Sequence, residues 1–70
     1  MESKPFQLKR WRLHRLFTQA ELAERAGVSV RAISQLETLE RPPRLSTVGK
    51  LADALGVERA DLYRLPRRKD

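Results

Sequence analysis

Arg31, Ser34, Gln35 and Thr38 fall at i, i+3, i+4 and i+7 of one stretch, a spacing that on a helix gathers them onto a single face. Each of these side chains can donate a hydrogen bond, so the face suits a partner rich in acceptors. Arg41-Pro42-Pro43-Arg44 follows as a loop, because each proline removes a backbone donor and restricts the residue before it. The charge points the same way: fifteen Lys and Arg against nine Asp and Glu leave +6 at pH 7, which favours a polyanion. Nucleic acid leads that class and an anionic membrane surface follows. Covalent chemistry has few candidates. The absence of Cys excludes a disulfide framework, a thiolate zinc site and a thiol nucleophile. With a lone histidine, His14, and no paired carboxylates placed for a pocket, neither an enzyme nor a metal or cofactor site is expected.

The elements that must position these residues read as short helices, since no stretch alternates apolar and polar residues as a half-buried strand does. The expected fold is all-α, with five helices in one domain over residues 1–70, a core over about 6–65 and a frayed basic tail at 66–70. A first helix runs from about residue 5 or 6 to 15, with Pro5 where a missing N–H does no harm and Leu8 and Trp11 facing inward. Thr18-Gln19-Ala20-Glu21 has the form of a capping box and opens a second helix, which buries Leu22, Ala23 and Ala26. Gly27 stops that helix by accepting a left-handed conformation, and Ser29 is a good N-cap for a third, in which Ile33 and Leu36 point inward. A fourth helix carries Val48, Leu51, Ala52 and Leu55 on its apolar face and closes at Gly56. A weaker fifth spans about 58 to 65.

Two helices joined by a turn this tight form a helix-turn-helix unit. Ala23 is small enough for the close helix crossing, Gly27 supplies the turn, and Val28, Ile33 and Leu36 fill the space between. The chain resembles the lambda repressor and Cro-like (XRE-type) helix-turn-helix family over Thr18-Gln19-Ala20-Glu21-Leu22-Ala23, Gly27-Val28-Ser29 and Ile33-Ser34-Gln35-Leu36-Glu37. Pro43, Leu45, Thr47, Leu51-Ala52 and Ala54-Leu55-Gly56-Val57 extend the match, which runs from about Leu8 to Tyr63. The resemblance implies a sequence-specific regulator of transcription, a repressor rather than an activator, with its third helix in the major groove of a two-fold double-stranded DNA operator. It implies base contacts from Val30, Arg31, Ser34 and Gln35. Backbone contacts would come from Thr18, Gln19, Thr38, Arg41 and Arg44, and Arg12 with Glu37 would form an internal ion pair.

Three positions depart from the family pattern. Leu16 stands where a glycine is usual, and a left-handed Leu would be strained by about 1 kcal/mol, so the first helix is expected to end differently. Leu39 also replaces a usual glycine. Arg44 replaces a usual serine cap, which leaves Ser46 to start the fourth helix later. Leu62, Tyr63 and Leu65 either finish the core or form an isologous homodimer patch, the latter being favoured for a domain with few base contacts. Trp11 reads as core, and His14 as an exposed residue near a helix C-terminus. No apolar run is long enough to span a membrane, and Met1-Glu2-Ser3-Lys4-Pro5 does not read as a secretory signal, so a cytoplasmic address is the default. A surface membrane binder is disfavoured because the fourth helix's apolar face reads as core. The remaining rival is an antitoxin of this fold that binds a toxin protein and regulates its own operator; RNA polymerase is another conceivable protein partner.

Overall fold

A computed structural model describes residues 6–38 and 42–70. Four helices, α1 (Leu8–His14), α2 (Gln19–Ala26), α3 (Val30–Glu37) and α4 (Leu45–Leu55), are followed by a 3-10 helix at Arg59–Tyr63. Among the described residues there is no strand. The expected fifth α-helix is thus a five-residue 3-10 helix, capped by reciprocal Glu58 and Asp61 contacts. It is too short to propagate i to i+4 bonds, and the tighter winding suffices for a single closing turn.

The periodic apolar positions meet in one core. Leu8, Trp11, Leu22, Ile33, Leu51 and Leu62 are fully enclosed, and Phe6, Ala23, Ala26, Leu36, Val48, Ala52 and Leu55 complete the cluster. Full burial of a Leu side chain stabilises by about 1.5–3 kcal/mol, so these few residues supply most of the drive to fold. Leu62 belongs to this core and cannot form part of a surface patch, whereas Tyr63 only packs against the core and Leu65 is 56% exposed. The first and last elements are joined directly: the Gln7 N–H donates to the Leu62 carbonyl at 2.7 Å, and the Phe6 and Tyr63 rings lie 5.2 Å apart. The Trp11 indole N–H donates to the carbonyls of Asp61 and Arg64 at 2.8 and 3.0 Å. That is why this aromatic can be buried without leaving its polar atom unsatisfied.

Three of the helices, α1, α2 and α4, end in one pattern with one exception in residue type, whereas α3 ends at Thr38 in a right-handed conformation. At α2 the Val28 N–H reaches back to Ala23 O at 3.0 Å, at α4 Val57 reaches Ala52 O at 2.9 Å, and at α1 Phe17 reaches Arg12 O at 3.0 Å. The residue before each of these donors is left-handed: Gly27 at φ 71°, Gly56 at φ 72° and Leu16 at φ 62°. The first helix therefore does not end differently for want of glycine; Leu16 adopts the strained conformation instead. The closure is reinforced because the Arg12 guanidinium donates to the Phe17 carbonyl at 2.8 Å. α1 itself is shorter than expected, beginning at Leu8 after Gln7. Pro5 and Leu39 lie outside the described residues.

Two further expectations are corrected. Arg44, not Ser46, precedes the first residue of α4; its backbone is extended at φ −81° and ψ 148°, and its side chain makes no capping hydrogen bond. Residues 66–70 are not frayed. The chain turns back so that the Asp70 carboxylate accepts from Arg64 Nη1 at 2.8 Å and from the Arg67 N–H at 2.7 Å. Arg15 donates to the carbonyls of Asp70 and Leu55, and both Arg15 and Arg64 place their guanidinium groups near the Trp11 ring, 5.6 and 5.1 Å from its centroid. A single carboxylate among basic neighbours thus organises the tail, and these bonds hold Asp70 well below the ordinary carboxylate pKa.

Candidate nucleic-acid interface

The interface begins with the cap of α2. Thr18 Oγ1 accepts from the Glu21 N–H at 3.0 Å while Glu21 Oε1 accepts from the Thr18 N–H at 2.9 Å, which is the reciprocal box anticipated for this segment. The Thr18 backbone N–H, and after it the Thr18 hydroxyl, hold the Glu21 carboxyl below its usual pKa, so the first turn of α2 carries a fixed negative charge on one side. Gln19 lies one residue into the helix and is half-buried.

The turn between α2 and α3 places the second helix against the first. Ser29, with extended backbone, accepts the Ala32 N–H on its Oγ at 3.0 Å and so fixes where α3 starts. Ala23, Ile33 and Leu36 are buried, and α2 packs on both α3 and α4. Since Ile33 and Leu36 hold one side of α3 in the core, its opposite side faces outward. That side carries Arg31, which is exposed, and Ser34 and Gln35, which are half-buried; Val30, at the helix start, is 46% exposed. Among the described residues, no hydrogen bond or ion pair engages the side chain of Arg31 or Gln35. These two keep their donors available, and α3 brings the four sequence-predicted base-reading residues together on one helix.

The flanking positions are less uniform. Thr38 Oγ1 donates back to the Ser34 and Gln35 carbonyls at 3.1 and 3.2 Å, so its hydroxyl proton already serves the end of α3. Arg44 is exposed and lines a shallow cleft with Ala32, Gln35, Leu36, Pro42 and Thr47, which puts a cation beside the outer face of α3. Arg41 lies outside the described residues.

Beneath this face sits the Arg12 and Glu37 pair, at 2.5 Å from Arg12 Nε to Glu37 Oε2, with Arg12 Nη2 donating to Oε1 at 3.1 Å. Hydrogen bonding to the Glu37 carboxylate raises the Arg12 guanidinium pKa above its already high value, so the guanidinium stays charged. A third partner was not legible in the sequence: Gln19 Nε2 donates to the same Glu37 Oε1 at 3.0 Å. Residues 18 apart in the chain meet here because α3 folds back along α2, and no local spacing signals it. Among the described residues, no buried polar side-chain atom lacks a partner.

The donor face carries Arg, Ser, Gln and Thr side chains, and among the described residues no group of His, Cys, Asp and Glu is suited to a metal. Among the described residues, no helix is long and apolar enough to cross a membrane. What the geometry provides is a rigidly packed helix with outward hydrogen-bond donors and nearby cations that no carboxylate among the described residues pairs. No curated protein and no solved structure matches the chain. The helix-turn-helix family model matches residues 8–62, from the start of α1 into the closing 3-10 helix. The chain therefore belongs to the XRE, or lambda repressor-like, helix-turn-helix family, whose domain is a DNA-binding regulatory one.

Proposed function

We propose that this protein is a cytoplasmic, sequence-specific repressor that binds a two-fold double-stranded DNA operator as a homodimer, with α3 in the major groove. The carrying observation is that Arg31 and Gln35 project from a helix whose other side is locked into the core, with no partner engaging their side chains among the described residues. Arg31 is suited to bidentate pairing with guanine O6 and N7, Gln35 to adenine N6 and N7, and Val30 to a thymine methyl, with Ser34 between them. Gln19 with Thr18 at the start of α2, and Arg44 with Arg41 beyond α3, serve phosphates; Thr38 does so by turning its hydroxyl proton from the Ser34 and Gln35 carbonyls to a phosphate oxygen. Phosphate contacts set the register in which the bases are read. Helix N-termini add favourable dipoles to such contacts.

Repression follows economically, because a domain seated across an operator excludes other proteins without any additional contact. A two-fold operator would place half-sites about 34 Å apart, one helical turn. With Leu62 assigned to the core, the homodimer contact falls to exposed Leu65 and the rim of Tyr63. Selection of bound duplexes from a random library tests the whole reading: enriched palindromes spaced by one turn are expected. Arg31→Ala should then cost about 1–3 kcal/mol on the selected duplex and relax one base position, while Arg44→Ala weakens all duplexes alike. Equal losses on every duplex for both variants would refute the base-reading role. Tight copurification with a neighbouring gene product, alongside binding to its own operator, would instead mark the chain as an antitoxin.

A further inference from the structure

Glu37 ends α3, yet its side chain is only 4% exposed and its carboxylate accepts from two other elements at once. Oε2 takes Arg12 Nε at 2.5 Å, and Oε1 takes both Arg12 Nη2 at 3.1 Å and Gln19 Nε2 at 3.0 Å. Arg12 cannot swing away, because its remaining terminal nitrogen is held by the Phe17 carbonyl at 2.8 Å. The carboxylate is therefore fixed from the α1 side and in turn fixes the first side chain of α2. We propose that Glu37 is a positioning residue for Gln19: by taking one amide N–H inward, it leaves the other N–H directed outward for a phosphate oxygen. It thereby ties the phosphate grip at the start of α2 to the end of the base-reading helix. This rests on the reading of Gln19 as a phosphate contact.

The physical advantage is preorganisation. A free Gln loses rotamer freedom when it binds, and a clamp removes that loss beforehand, an effect of about 2- to 12-fold in Kd for one long side chain. The test uses the full chain and a duplex it has selected, with a neutral methylphosphonate placed at each phosphate in turn. The phosphate served by Gln19 is the one whose neutralisation no longer matters in Gln19→Ala. Removing Glu37 alone would strand a buried guanidinium, so the informative variant is R12M/E37M, which removes both charges together. It is expected to bind about 2- to 12-fold more weakly and to lose sensitivity at the Gln19 phosphate while keeping it at the Arg44 phosphate. R12M/E37Q, which removes both charges yet retains an acceptor for Gln19, should keep that sensitivity.

In the free wild-type chain, NMR relaxation should find the Gln19 side-chain amide as ordered as the backbone, a measurement that needs no variant to fold. A freely reorienting Gln19 amide overturns the proposal, as does R12M/E37M with full sensitivity at the Gln19 phosphate or with equal losses at all phosphates. If Gln19→Ala erases the effect at no phosphate, the phosphate reading itself falls and the clamp's purpose with it. If Gln19→Ala does so and the double variant does not, only the clamp falls.

Discussion

Leu16→Gly should stabilise this protein, although it deletes a large apolar side chain. Leu16 is left-handed at φ 62° and 88% exposed, so its side chain contributes little burial while its backbone is strained. A left-handed conformation costs an L-residue about 1–2 kcal/mol. Glycine abolishes that cost but adds freedom to the unfolded chain, which takes back about 0.4–1 kcal/mol. The expected net gain is about 0.5–1 kcal/mol, or about 2 to 8 °C in Tm for a domain of this size. Gly27→Ala provides the mirror experiment. Its φ is 71° and a Cβ there would meet nothing within 4 Å, so any loss comes from the backbone alone. It should destabilise by about the same amount. Urea unfolding followed by the fluorescence of Trp11 measures both. A Leu16→Gly variant that unfolds at or below the parent midpoint, beside a Gly27→Ala variant that loses stability, would show that the exposed Leu is stabilising in a way the backbone argument omits.

Other expectations concern the core, the caps and pH. Leu62→Ala should cost about 2–5 kcal/mol, enough to unfold much of the population by circular dichroism, while Leu65→Ala leaves the melting curve nearly unchanged; equal small effects would return Leu62 to the surface. Thr18→Ala and Ser29→Ala should each cost about 1 kcal/mol, measured by urea titration, because each side chain satisfies a first-turn N–H. The Asp70 carboxyl has its pKa lowered on folding, so its contribution is present above the unfolded value of about 3.9 and is lost as pH falls below it. Stability measured from pH 7 downward should hold to about pH 5 and then decline, and Asp70→Asn should flatten part of that decline.

Much of this architecture was legible because it depends on neighbours in sequence. The Thr18 and Glu21 box, the Gly27 stop, the Ser29 cap and the inward set Leu22, Ile33, Leu51 and Leu55 all formed as their spacing dictated. The outward position of Arg31 followed from the same periodicity. What escaped depends on distant parts of the chain. Leu16 is left-handed because the bond from Phe17 to Arg12 and the Arg12 guanidinium close α1 together, outweighing a local preference. The tail is basic and reads as solvated, yet Asp70 finds Arg64 once the chain has turned. Leu62 is one apolar residue in a weak pattern, and only the floor of the core around Leu8 and Trp11 decides that it points inward. Gln19 was placed at the correct helix start, but its bond to Glu37 is a tertiary event.

The direct joining of Gln7 to Leu62 and of Trp11 to Asp61 makes the described chain a noncovalent ring, with the helix-turn-helix as an arc within it. Closing a loop of the 50 residues between Trp11 and Asp61 opposes folding by about 3 to 4 kcal/mol of chain entropy. Neither side of the seam can hold without the other, so the helix-turn-helix borrows its rigidity from a closure made far along the chain. A nick in the loop between α3 and α4 would then leave two fragments still clasped at the seam. Removal of the last dozen residues would open the ring and free α3 from its support.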